Sequence, residues 1–187
     1  MRIGIPREIK NNEFRVGLIP ASVAELTAAG HELFIEADAG IGIGLNNQSY
    51  IDAGATIITT AAEIFAQAEM IMKVKEPQPE EILMLREGQL LFTFLHLAPD
   101  SEQTQGLIDS GVSAIAYETV SDRHGGLPLL KPMSEVAGRM SIQAGARCLE
   151  KSIGGAGRLL GGVTGVAPAN VLVIGGGIVG TNAIRMA

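Results

Sequence analysis

The sequence predicts an α/β protein built on a parallel sheet. From residue 1 to about 120, short β-branched runs alternate with helical segments closed by glycine, the order expected of strands joined by crossover helices. Several of those runs are apolar on both faces, as strands buried between two helix layers must be. Glycine makes up 24 of the 187 residues, close to twice the usual share of about 7%, so many tight turns or close backbone approaches are required.

Six strands are expected, at Arg2 to Ile5, Glu32 to Ala37, Ala55 to Ile58, Met70 to Val74, Gln89 to Phe94 and Ser113 to Tyr117. Pro20 stands where a first helical turn tolerates it, and Gly30 where a helix ends left-handed. Thr60 with Glu63 has the spacing of a capping box, and Asp100 with Gln103 repeats it. After Tyr117 the pattern breaks at Asp122-Arg123-His124-Gly125-Gly126, and Pro128 and Pro132 should stop regular structure. A domain boundary is expected there. Ser134 is the expected cap of a long helix reaching about Lys151, which could connect two domains. Gly154 to Gly165 holds too many glycines for an ordered helix and reads as a flexible linker.

The chain then changes character. Asn170-Val171-Leu172-Val173-Ile174 reads as a strand, Gly175-Gly176-Gly177-Ile178-Val179-Gly180 as a phosphate-binding turn, and Thr181 to Ala187 as helix. In a GxGxxG turn the first glycine allows the tight bend and the second lets the backbone approach a pyrophosphate. The third lets helix and strand pack closely, while free amides at the helix start hold the phosphates. Its strand-to-helix context points to dinucleotide binding. The acidic residue that would contact the ribose belongs about 20 residues on, beyond Ala187, so the chain reads as a portion of a longer polypeptide.

Composition narrows the chemistry. Net charge is −6 with scattered Lys and Arg, which leaves no basic footprint for nucleic acid or an anionic membrane. No apolar run reaches the roughly 18 residues needed to span a bilayer. A single cysteine, Cys148, gives no internal disulfide and fits a reducing cytoplasm. Without HExxH or paired acidic ligands, no metal site is indicated.

In open α/β sheets ligands collect outside the carboxyl ends of strands, which singles out three residues. Arg15, in the loop after the first strand, could clamp a carboxylate with two parallel hydrogen bonds, or could be a surface arginine. Lys75, at the end of the fourth strand, could hold a carboxylate or polarise a carbonyl, with Lys73 as its competitor; otherwise it is a solvated lysine paired with Glu76. His96, in Phe94-Leu95-His96-Leu97, could be an acid-base group tuned by an apolar wall, or a core histidine. His31 and His124 read as structural or solvated.

These motifs together resemble the bacterial alanine dehydrogenase family. The resemblance rests on Gly4-Ile5-Pro6-Arg7-Glu8-Ile9-Lys10, Glu13-Phe14-Arg15-Val16, Lys73-Val74-Lys75-Glu76-Pro77 and Leu95-His96-Leu97-Ala98. It continues through Pro132-Met133-Ser134-Glu135-Val136-Ala137-Gly138, Gly161 to Val166, and Val173 to Gly180, and so covers essentially the whole chain. It implies a Rossmann-like substrate domain over residues 1–126, a connecting helix and glycine-rich linker over 127–168, and the truncated start of a Rossmann NAD-binding domain over 169–187. It further implies reversible oxidative deamination of L-alanine to pyruvate and ammonia with NAD, by a cytoplasmic homohexamer. Arg15 and Lys75 match its substrate-binding positions, His96 its acid-base residue, and Ser134, Gly175, Gly177, Ile178, Val179 and Gly180 its cofactor contacts. The family's catalytic aspartate lies later in the dinucleotide domain, so a polypeptide ending at Ala187 is expected to be inactive alone. Gly42-Ile43-Gly44-Leu45-Asn46-Asn47 departs from the family pattern away from these residues. The alternatives are the α-subunit of proton-translocating transhydrogenase, which has no need of His96, a saccharopine dehydrogenase relative, and a non-catalytic fragment.

Overall fold

A computed structural model describes residues 1–187. Two compact units divide the chain, Met1–Val120 and Ser121–Ala187. The first is an α/β layer structure around one six-stranded, wholly parallel sheet in the order β3-β2-β1-β4-β5-β6. Its strands are β1 (Arg2–Ile5), β2 (Glu32–Glu36), β3 (Thr56–Ile58), β4 (Met70–Met72), β5 (Leu90–Thr93) and β6 (Ser113–Ala116). All six lie within the predicted runs, β1 over its whole length and the other five trimmed at their ends. The trimming has a physical cause at β4: the Val74 N–H, which would have continued the strand, donates instead to the Glu8 carboxylate at 2.6 Å.

Helices α1 (Pro20–Ala28), α2 (Asn47–Asp52), α3 (Ala61–Gln67), α4 (Pro79–Ile82) and α5 (Ser101–Ser110) connect the strands. Two apolar clusters result. Ile3, Ile5, Leu33 and Ile35 pack with Val23 of α1 and Tyr50 of α2. Ile71 and Leu91 pack with Ile64 and Phe65 of α3 and Leu107 of α5. Burying a side chain of this size contributes about 1.5–3 kcal/mol, and the alternation of strand side chains distributes that burial over both faces of the sheet.

Pro20 opens α1, and Gly30 follows it with φ +85°. Both arms of the Thr60–Glu63 box are made, a device worth about 1 kcal/mol. The Asp100 box is only half made. Asp100 accepts from the Gln103 amide at 2.9 Å, but the Gln103 side chain turns away and donates to the Leu95 carbonyl at 2.8 Å.

In the second unit, α6 (Lys131–Cys148) packs along α7 (Ile178–Met186). Gly138 makes that approach possible, because a Cβ there would collide with the Val179 carbonyl and come within 2.8 Å of Asn182 Cβ. Three expectations need correction. Ser134 does not cap α6 but lies inside it, its N–H donating to Leu130 at 3.1 Å. Pro132 sits in the first turn, where its missing N–H costs nothing. Residues 170–174 form no strand: a strand is completed by a hydrogen-bonded neighbour, and none of the 187 residues supplies one here. The glycine-rich segment is more ordered than a bare linker, with Val163 and Val166 exchanging hydrogen bonds and Ala169 donating to the Leu160 carbonyl. No helix is long and apolar enough to cross a membrane.

Candidate functional site

The strand order places β1 beside β4, and the chain leaves these two strands towards different apolar clusters. Such a reversal opens a crevice outside the carboxyl ends of the strands. Arg15 lies in the loop after β1, Lys75 in the loop after β4 and His96 in the loop after β5. The three residues singled out by sequence therefore stand along one edge of the sheet.

That edge is stitched by side chains. Glu36, ending β2, accepts from the Arg7 N–H beyond β1 at 2.8 Å. Glu8, beyond β1, accepts from the Val74 and Lys75 N–H groups beyond β4, at 2.6 and 3.3 Å. The Thr93 hydroxyl, ending β5, donates to the Lys75 carbonyl at 2.8 Å. Glu118, beyond β6, accepts from His96 N–H at 2.7 Å and Leu95 N–H at 3.1 Å. Each bond satisfies a backbone group where the ladder has ended, and bonds to a carboxylate are about twice as strong as neutral ones. Sequence reasoning missed Glu36, Glu118, Thr93 and the role of Glu8; for Glu36 the available signal was an acid at the end of an apolar strand run.

Lys73 is eliminated as a substrate lysine. It is 1% exposed, with its ammonium 2.6 Å from Glu81 Oε1 and 3.4 Å from Glu8 Oε2. Burial pushes the Glu81 carboxyl up from its usual value, against the pull of the Lys73 charge. Lys75 is half-buried and does not pair with Glu76, which is held by Lys10. Its charge is felt at Glu13, so the two loops bring Lys75 and the Glu13–Arg15 pair within electrostatic reach. Glu13 carboxylate oxygens take the Nε and Nη2 edge of Arg15 at 2.8 and 2.5 Å. A cavity of about 380 Å³ opens beside this pair, lined by Arg7, Glu8, Glu13, Phe14, Arg15 and Asp38 among others.

His96 is neither a core histidine nor walled in. Leu95 takes the inward position, at 2% exposure, and the imidazole is exposed. Its backbone is left-handed, φ +50°. The ring lies nearly parallel to Phe94, centroids 6.2 Å apart, and Phe94 meets Tyr117 edge-on at 5.1 Å. Non-glycine left-handed residues occur only at Asn12, Asp38 and His96, all in loops leaving this edge. Such conformations are uncommon and gather at functional sites.

In the second unit, Ser134, Gly175, Gly177, Ile178, Val179 and Gly180 all line one cavity of about 760 Å³. Gly175 has φ +100°, and a Cβ on Gly180 would strike the Gly175 carbonyl. A Cβ on Gly176 or Gly177 would meet nothing. The turn is thus closed on its packing side and open on the other. α7 begins at Ile178 rather than Thr181, because Gly177 already serves as its N-cap. Its first amides have no partner within the helix, so this segment fits a pyrophosphate group.

Two expected outcomes follow from the charges of the first unit. Lys73→Met leaves Glu81 and Glu8 buried without their cation and should cost about 3–5 kcal/mol in urea unfolding, with Glu81→Gln added to it recovering much of the loss. A single variant as stable as the native chain contradicts the network. The hydrogen bond from Arg15 holds the Glu13 carboxyl below its ordinary 4.5, against partial burial. A depressed carboxylate stabilises fully above pH 4.5 and loses that contribution as pH falls through the folded value. Glu13→Gln should therefore flatten the acid limb of stability against pH; parallel limbs for the two proteins contradict the pairing.

The profile described as "Alanine dehydrogenase/PNT, N-terminal domain" matches residues 4–137, and "Alanine dehydrogenase/PNT, C-terminal domain" matches residues 141–187. An alanine dehydrogenase of Methanococcus maripaludis is 56% identical over 187 residues, all of this chain and 50% of that protein. One of Bacillus subtilis is likewise 56% identical, over all of this chain and 49% of its own length. An L-alanine dehydrogenase of known structure superposes on the whole chain with a TM-score of 0.91 at 54% identity, using 51% of its own length. A transhydrogenase structure from Sinorhizobium meliloti matches with 0.81 at 26% identity, over all of this chain and 53% of its own. The chain spans about half the length of the curated relatives it matches. On the extent of these matches, the chain belongs to the alanine dehydrogenase/PNT family.

Proposed function

We propose that this chain supplies the substrate-binding residues and the opening of the nucleotide site of a dehydrogenase that interconverts L-alanine with pyruvate and ammonia. The observation that carries the proposal is the placement of Arg15, Lys75 and His96 along one carboxyl edge, at the switch point of a doubly wound sheet. Higher identity to alanine dehydrogenases than to the transhydrogenase favours this reading over a hydride carrier without an amino-acid substrate.

Arg15 and Lys75 hold the substrate carboxylate, which competes with Glu13 for the Arg15 guanidinium; a forked guanidinium and a point-charge ammonium on neighbouring loops suit the task. The stitched backbone of Lys75, fixed at its N–H by Glu8 and at its carbonyl by Thr93, limits where that ammonium can reach. Ser134 and the turn from Gly175 to Gly180 would hold NAD, which would supply the acceptor for the hydride leaving the substrate α-carbon. His96 takes the proton released as water adds to the oxidised α-carbon and returns one to the departing ammonia; its exposed imidazole is free to exchange that proton with solvent. Residues 1–126 then serve as substrate domain, 127–168 as connection and 169–187 as the start of the nucleotide domain. We extend the proposal to a homohexamer, supported by the family resemblance, in the cytoplasm, a reducing compartment that the single cysteine fits.

Alanine-dependent reduction of NAD by the whole protein tests the proposal. His96→Ala should lower kcat by about 10²–10⁴-fold, while Arg15→Ala should act mainly by raising KM for L-alanine. Full activity without His96 contradicts its assignment.

A further inference from the structure

His96 adopts a backbone conformation that it could not hold by itself at no cost, φ +50°, and its ring is exposed on the side away from Phe94. Two neighbours in the turn Tyr117–Thr119 act on it. Glu118 Oε1 accepts from two successive amides, His96 at 2.7 Å and Leu95 at 3.1 Å, and Oε2 approaches Leu95 N–H at 3.3 Å. Successive N–H groups converging on one anion are the signature of a left-handed turn closed by a negative charge. Tyr117 meets the Phe94 ring edge-on at 5.1 Å, and Phe94 in turn lies along the imidazole. From the other side the Gln103 amide donates to the Leu95 carbonyl at 2.8 Å. The backbone on which the imidazole is mounted is thus clamped by side chains from β6's exit and α5.

We propose that Glu118 is a positioning residue for His96: its carboxylate, by gathering the Leu95 and His96 amides, holds the left-handed turn that presents the imidazole to the substrate. This rests on His96 as the proton-transfer residue. Glu118 does not itself touch the reacting atoms. It acts through the backbone of its neighbour, so its removal should alter the rate of chemistry more than the binding of substrate.

The test is a double-mutant cycle in the whole protein with kcat and KM for L-alanine and thermal midpoints measured for each variant. Misplacement of a reacting group by about 1 Å costs on the order of 10²-fold, so Glu118→Ala should lower kcat by about 10–100-fold with KM changed by less than about threefold. Glu118→Gln retains an oxygen able to accept both amides and should stay within about tenfold of native, since a neutral acceptor gives weaker bonds. In a His96→Ala background both Glu118 effects should vanish, because the group being positioned is gone. An equal loss from Glu118 substitution in the two backgrounds overturns the proposal, as does native kcat in Glu118→Ala. If Glu118→Ala does not fold, Glu118→Asp, whose carboxylate is one methylene too short to gather both amides from the same backbone position, takes its place in the cycle under the same two criteria. Full activity of His96→Ala overturns the acid-base reading itself, which is distinguishable from either result.

Discussion

A parallel sheet has no hairpins, so at its carboxyl edge every strand stops with backbone donors that no neighbouring strand satisfies. In the first unit those donors are taken by acidic side chains that reach sideways to the next loop. Glu36 ties β2's exit to that of β1, Glu8 ties β1's to β4's, and Glu118 ties β6's to β5's, with the Thr93 hydroxyl joining β5 to β4. The remaining features of the site depend on this row. Arg15, Lys75 and His96 sit in loops whose entry points are fixed by it, and loops so fixed can carry groups to a reproducible place.

The arrangement concentrates negative charge where an anionic substrate is proposed to bind, and the structure compensates locally. Glu8 and Glu81 share the buried Lys73 ammonium, and Glu13 is covered by Arg15. Buried charge pairs are weak contributors to stability compared with packed apolar groups; here they define which lysine is structural and which is available. Of the three left-handed non-glycine residues on this edge, His96 is the one whose backbone a stitch holds, through Glu118.

Much of this architecture was legible in the sequence. Strands and helices in the first unit follow local rules: β-branched runs, a proline at a first turn and a Thr–Glu capping box are signals that neighbours reinforce rather than override. Arg15, Lys75 and His96 were picked out as residues in loops that follow strands, and the structure puts all three in loops at the carboxyl edge. The partners that hold them were not, because Glu8 and Val74, or Glu118 and His96, are brought together by strand order and not by spacing along the chain. Lys73 and Lys75 could not be told apart, being two residues apart on the same short exit, until burial assigned one to the core. In the second unit, residues 170–174 show the opposite failure: a strand pattern is a statement about a sheet, and pairing is what makes it one. Ser134 misled because it carries the side chain of a cap, whereas Pro132 had already started the helix two residues earlier.

The central claim is that side-chain carboxylates fix the exits of β1, β4 and β5, where backbone pairing has thinned to bonds such as Lys73 N–H to the Phe92 carbonyl and Phe94 N–H to the Val74 carbonyl. Hydrogen–deuterium exchange resolved to single amides tests it most directly. Arg7, Val74, Leu95 and His96 should exchange slowly, at rates closer to those of β1 and β4 than of an open loop, and Glu8→Ala should release Val74 while leaving His96 protected. Exchange of all four at the rate of the exposed turn at 121–126 would contradict the account.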